Sequence, residues 1–210
     1  MKYYFLSGLP RAGNTIISCI LNQNKDIGVS ANSLVSSVLY NLEEMKKTDR
    51  AFNNFRDEKS YHSMMSSIIP SYYATWKCKY IIDRDTNNGS LKEKFEYLFH
   101  PQGQLVRALS SINNLKTVDP DKKIHILVDY NEFIDNPAEQ LDRIYKFLDI
   151  PYYMHNLKHI DQFKSNGVRY DDNQLGKDMH KIRSDGISKR KYDVKVPQVL
   201  IDRCREFNIW

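Results

Sequence analysis

The stretch "FLSGLPRAGNTIISCIL", residues 5–21, holds Gly8 and Gly13 with four residues between them, followed by Asn14 and Thr15. This is the spacing of a phosphate-binding P-loop, with asparagine where a nucleoside triphosphatase carries lysine. Residues 2–7, "KYYFLS", are rich in aromatic and apolar side chains, as a buried strand requires, and Ile16, Ile17, Ile20 and Leu21 recur at helical spacing. Strand, glycine loop and helix in this order gather backbone N–H groups into a concave site for an anion. Asn14 cannot supply the charge of the missing lysine. Arg11 can, three residues earlier and inside the loop, where it suits a shorter anionic group than a triphosphate. The competing reading is a tight Gly-Pro turn that binds nothing.

Outward from this loop, the pattern alternates. "IGVSA" (27–31) reads as a short strand, and 33–47 as a helix with Leu34, Val38 and Leu42 at four-residue steps. Residues 57–75 repeat at helical spacing through Tyr61, Met64, Met65, Ile68, Ile69, Tyr72 and Tyr73, with Pro70 expected to kink or divide the helix. That stripe reads as core, with exposed tyrosines left to face an acceptor. "KYIID" (79–83) is a strand entering a polar turn, after which Ser90 caps a helix to Phe99. Residues 101–115 form a further helix, and "KKIHILVDY" (122–130) is the strongest strand, apolar on both faces like a central parallel strand. Asn136, Pro137 and Glu139 open the next helix as N-cap, first residue and capping-box glutamate, ending near Leu148. "SNGVRYDDNQLGKD" (165–178) reads as a surface loop, and a last helix spans about 197–207. Strands alternating with helices predict an α/β fold, a P-loop-type three-layer α/β/α arrangement around a small central parallel sheet.

Composition fits one domain over residues 1–210, with 165–195 its flexible C-terminal segment: 41% hydrophobic and 27% charged residues lie far from the disordered regime. No apolar run reaches the length of a membrane span, and residues 1–6 pass into the glycine loop without the apolar segment of a leader, so a cytoplasmic protein is expected. Cys19, Cys78 and Cys204 are an odd, widely spaced set, read as free thiols. The net charge of +5 is uneven, because residues 177–191 hold six Lys/Arg against Asp178 and Asp185. Such a cluster fits a polyanionic small molecule, a nucleic acid or a solvated face.

Three blocks together resemble the sulfotransferases, which transfer a sulfuryl group from 3′-phosphoadenosine 5′-phosphosulfate (PAPS) to a hydroxyl or amine. Pro10-Arg11-Ala12-Gly13-Asn14-Thr15 is similar to their 5′-phosphosulfate loop. "ILVDYNEFIDNPAEQLDRIYKFLDIPYYMHN" (126–156) looks like their strand, Tyr-Glu-Asp-Leu-type turn and Asn-Pro-Glu helix. "MHKIRSDGISKRK" (179–191) looks like the basic segment that closes over the donor. The resemblance implies that Arg11 stabilises charge on the transferring group, that Pro10, Ala12, Gly13, Asn14 and Thr15 complete the donor loop, and that Tyr130 lies beside the adenine. Arg183, Ser188, Lys189 and Arg190 would then meet the 3′-phosphate, with no metal required and a small-molecule or glycan acceptor as partner rather than a nucleic acid or a membrane. For Tyr130 an edge aromatic packed on the following helix stays open, as does a solvated face for the basic run.

The family's further strand and helix, carrying an arginine and a serine about eight residues apart, is not found cleanly. Arg84 and Ser90 are too close, and Arg107 with Ser110 and Ser111 lies within one helix, which reads as a deletion. A proton acceptor is also needed. Asp83, at the end of its strand, is the candidate base, with turn capping as the alternative. A non-catalytic relative that binds the nucleotide or an anionic glycan, and a P-loop kinase, are the rival functions.

Overall fold

The computed structural model describes residues 1–8, 12–85, 104–169, 181–182 and 186–188, arranged as two compact units. The first takes in Met1–Ser7, Asn14–Thr86 and Asp161–Ile182; the second takes in Gly8–Gly13, Asn87–Ile160 and Arg183–Trp210. The fold is mixed α/β with a small parallel sheet.

In the first unit, β1 (Lys2–Ser7) leads to α1 (Asn14–Leu21), β2 (Ile27–Val29), three helices and β3 (Tyr80–Asp85). Strand order is β1-β3-β2, with both pairings parallel, so β3 is central. Its apolar centre, Ile81 and Ile82, is buried as a two-sided strand demands. Register places Ser7 opposite Asp85 and Val29 opposite Ile82, which sets the carboxyl ends of the strands at one end of the sheet. The strand expected at 79–83 therefore runs two residues further, and Asp83 lies inside it rather than after it.

The crossover from β2 to β3 is α2 (Val35–Thr48), α3 (Arg50–Asn54) and α4 (Glu58–Tyr72). Asp49 and Asp57 begin α3 and α4 by accepting the backbone N–H of Phe52 and Ser60, at 2.9 and 3.0 Å. Pro70 does not divide α4: it falls in the last turn, and the helix continues to Tyr72. Val35, Tyr73 and Ile81 join α2, the end of α4 and β3 in one core, against which Tyr3, Leu39, Ile69 and Trp76 pack. Lys46 of α2 ties the three helices together, its Nζ 2.8 Å from Glu58 Oε2 and 4.6 and 5.5 Å from the centres of the Tyr61 and Phe52 rings. After the helical crossovers, β4 (Lys164–Ser165) and β5 (Val168–Arg169) form an antiparallel hairpin. The expected surface loop thus begins as a hairpin, because Asn166 and Gly167 both take positive φ (47° and 79°) in a two-residue turn.

The second unit contains α5 (Gln104–Val118), α6 (Tyr130–Asp135) and α7 (Pro137–Leu148). Helix α7 buries Leu141, Ile144, Tyr145 and Leu148, one face at steps of three and four, and ends at Asp149 in the left-handed conformation (φ 54°). Pro137 stands in its first turn, but Asn136 makes no side-chain cap, so the expected capping box is absent. The larger departure is at 122–130, where no strand forms. The Asp119 carboxylate takes the N–H groups of Lys123, Ile124 and His125 at 2.8, 2.8 and 3.2 Å, removing the donors that a sheet ladder needs. Lys122 turns the chain at φ 55°, and Asp129 ends the segment by capping α6. Residues expected as a helix at 90–99, and the last helix at 197–207, lie outside the described residues. Among the described residues no helix is long and apolar enough to cross a membrane.

Asp119 also accepts from His125 Nδ1 at 2.8 Å. Burial pushes the carboxyl up, but the three N–H groups and His125 outweigh it and hold Asp119 down at about 2, against an ordinary 3.8. A depressed acid adds stability above its unfolded value and loses it as pH falls through the folded one. Asp119→Ala is therefore expected to lower the thermal midpoint at pH 7, with the gap from wild type closing between about pH 4 and pH 2. A gap independent of pH, followed by circular dichroism melts, would contradict this assignment.

Candidate functional site

The loop after β1 is built around Gly13. Its φ of 81° belongs to the left-handed region, which glycine enters without a Cβ penalty. A Cβ at this position would overlap Cδ2 and Cε2 of Tyr130 and stand 3.2 Å from Cγ. The Tyr130 ring thus lies directly on the backbone of the loop. Tyr130 is the first residue of α6, and Asp129 secures that helix start by accepting the N–H of Asn131 and Glu132 at 2.7 and 3.0 Å. Tyr130, expected beside the adenine or packed on the helix that follows it, lies against the loop glycine, within the second unit.

Asn14 and Thr15 open α1, half-buried, with no acidic residue in the first turn to oppose an anion. Ser18 Oγ donates to the Asn14 carbonyl at 2.7 Å, and Ile17, Cys19, Ile20 and Leu21 are buried, so the helix start is anchored by its own body. Ala12 is half-buried beside Gly13. Pro10 and Arg11 lie outside the described residues.

At the carboxyl end of β3 stands a buried polar group in the first unit. Ser30, just past β2, donates its hydroxyl to Asp83 Oδ1 at 2.8 Å, and its Oγ accepts the N–H of Arg84 at 3.0 Å. Asp83 is 5% exposed and Arg84 1%. Burial pushes the Tyr73 phenol up, with Ser30 and Ser33 pulling it down and Asp83 adding to the rise. Burial likewise pushes the Cys19 thiol up to about 12, the charge of Arg84 offsetting part of the effect and that of Asp161 adding to it. Cys19 is an inert thiol at neutral pH. Asp83, expected as a base at a strand end, is instead a buried acceptor that joins β2 to β3. Arg84 is the buried cation at this end of the sheet, which a lone arginine in a polar turn does not announce in sequence.

Of the tyrosines expected around an acceptor, Tyr61 is locked by its hydroxyl donating to Glu43 Oε2 at 2.8 Å, Tyr73 is buried, and Tyr72 is 43% exposed. In the basic segment, Ser188 is exposed, and Gly186 is buried with the Leu157 carbonyl oxygen 2.7 Å from where a Cβ would stand. Arg183, Lys189 and Arg190 lie outside the described residues. The pairing of Asp119 with His125 was invisible in sequence because five residues separate the two, one just past a helix end and the other within an apolar run.

No family model matches the chain, and no curated protein matches it.

Gly13 carries two separable constraints, the sign of φ and the space taken by Tyr130. Gly13→Ala is expected to lower the thermal midpoint. Adding Tyr130→Ala should recover the steric part while leaving a backbone cost of about 1–2 kcal/mol. Strict additivity of the two substitutions in denaturant melts would show that ring and loop do not touch.

Proposed function

We propose that this chain is a PAPS-dependent sulfotransferase with a P-loop-type three-layer fold. The observation that carries the proposal is the loop itself: β1, a glycine at φ 81°, and a helix without acidic residues in its first turn, in the order of the family's donor loop, with Tyr130 seated on that glycine. The residues present fit the donor's 5′ end. Backbone N–H groups of 12–15 and the unopposed start of α1 suit a phosphate, and Gly13, lacking a Cβ, admits the Tyr130 ring beside them. When bound, the donor supplies an activated sulfuryl group whose leaving group is a phosphate.

Arg11 would place its cation on the charge that develops as the bond to that leaving phosphate breaks, a preorganised electrostatic role. Asn14 and Thr15 would hold the 5′-phosphate still. Tyr130, fixed by Asp129 and Gly13, would border the nucleotide. The acceptor is a hydroxyl of a small molecule or a glycan, and its proton needs a base within hydrogen-bond reach. Asp83 is buried and already accepts from Ser30, so it serves as that base only if the acceptor reaches the end of β3.

That burial of Asp83 favours one second reading, a relative that binds the nucleotide without transferring. The test is calorimetric titration with 3′-phosphoadenosine 5′-phosphate, the desulfonated product. Wild type is expected to bind, and Arg11→Ala to bind about 10- to 100-fold more weakly, the range of one charge-assisted hydrogen bond. Heat from neither protein would end both readings. If wild type binds, incubation with PAPS and a panel of glycans and phenols divides them: sulfated product supports the enzyme, and none across the panel supports the binder.

A further inference from the structure

The turn between β4 and β5 is Asn166-Gly167, with φ of 47° and 79°. Asparagine tolerates the left-handed region because its short side chain can bond locally, and glycine enters it freely, so the pair closes a two-residue hairpin. Ser165 and Val168 flank the turn as cross-strand partners and carry its ladder. The Gly167 N–H stays outside that ladder, and among the described residues it donates to no acceptor. Nothing lies within 4 Å of where a Gly167 Cβ would stand, so no neighbouring group shields the turn on that side.

The rest of the hairpin leaves this pair free to react. Asn22, one residue past α1, holds β4 by donating its Nδ2 to the Lys164 carbonyl at 2.7 Å and accepting from Ser165 Oγ at 3.3 Å. That anchoring stops at Ser165: Asn166, Gly167 and Arg169 are exposed, and Val168 is 69% exposed. With two residues in each strand, the outer end can open while the anchor stays in place. Lys164 and Arg169 stand directly opposite each other, two cations whose repulsion favours that opening. Other asparagine amides are engaged: Asn22 makes the bonds above, and Asn156 Oδ1 accepts the N–H groups of Lys158 and His159 at 3.2 and 3.1 Å. The Asn166 side chain makes no hydrogen bond among the described residues.

We propose that Asn166 is a site of spontaneous modification: the deprotonated Gly167 nitrogen attacks Asn166 Cγ, the new N–C bond forms as the Cγ–Nδ2 bond breaks, and ammonia leaves a five-membered imide. Hydroxide removes the proton from the attacking nitrogen, and the departing nitrogen takes one from water. Water then opens the imide at either carbonyl, giving aspartate or an isoaspartate whose backbone runs through the side-chain carbons. Both products place a carboxylate between Lys164 and Arg169 and make the chain more acidic. Only isoaspartate adds a backbone atom to the turn, which a two-residue loop cannot absorb with Ser165 still opposite Val168.

The test holds the full chain folded at neutral and at mildly alkaline pH, and unfolded in guanidinium chloride, and follows each sample by tryptic mapping. Trypsin cuts after Lys164 and Arg169, which separates residues 165–169 from the Asn-Gly pair at Asn88 and Gly89. In the folded chain the 165–169 peptide should give way to two acidic isomers of equal mass, isoaspartate in excess. The conversion should run several-fold faster at the alkaline pH and within about tenfold of its rate in the unfolded chain, because only the outer end of the hairpin has to open. Asn166→Gln, whose longer side chain would have to close a six-membered ring, should keep its amide over the same period. A peptide that keeps its amide in the folded chain, aspartate as the sole product, a rate that does not rise with pH, or a glutamine variant that converts as fast as wild type would overturn the proposal. Should Asn166→Gln fail to fold, the product ratio and the pH dependence are read on wild type and decide it alone.

Discussion

Everything proposed for the donor loop depends on the contact between the Tyr130 ring and the bare backbone of Gly13. Two residues more than a hundred positions apart meet because one has no Cβ and the other is held at a helix start by the Asp129 cap. The contact seats the ring on Gly13 within the second unit; in the first, the buried face of Ile17, Ile20 and Leu21 holds α1. Under the proposed donor reading, a glycine seated in this way would keep the neighbouring N–H groups oriented before an anion arrives, the condition for electrostatic stabilisation without reorganisation.

A second constraint acts at the carboxyl end of β3. Ser30 satisfies Asp83 and the Arg84 N–H together, so two strands share one buried polar junction. Buried polar groups that are hydrogen-bonded help specify register, and here the register sets Ser7 opposite Asp85, bringing the exit of β1 to the same end as Arg84. The junction makes Asp83 structural first. Any chemical role for it has to coexist with that bond.

Helix α1 and the amphipathic α7 were legible because their apolar spacing and their local geometry agree; β1 was legible as a strand, but the burial expected of it is not found, because it is an edge strand with none of its residues buried and Phe5 66% exposed. Of the stripe expected as core, Tyr61 and Tyr73 are buried and Met65, Ile68 and Ile69 half-buried, whereas Met64 and Tyr72 stay exposed. Residues 122–130 were not legible: an apolar run reads as a strand, but whether it pairs is decided by Asp119, whose carboxylate takes the N–H groups first. Nor was the burial of Asp83, since two further residues of β1 pairing decide whether that position lies inside the strand or after it. The Asn166-Gly167 turn carried a hairpin signal that the polar residues following it concealed. The cations at Arg11, Lys189 and Arg190 are legible as chemistry alone, and the roles proposed for them rest on the resemblance of their segments to the sulfotransferase pattern.

The most direct measurement is a crystal structure of the chain with 3′-phosphoadenosine 5′-phosphate. The account predicts the 5′-phosphate against the backbone N–H groups of residues 12–15, with Tyr130 still seated on Gly13 and bordering the nucleotide. A 5′-phosphate bound away from that loop, or a Tyr130 ring that leaves Gly13 to admit it, would contradict the account.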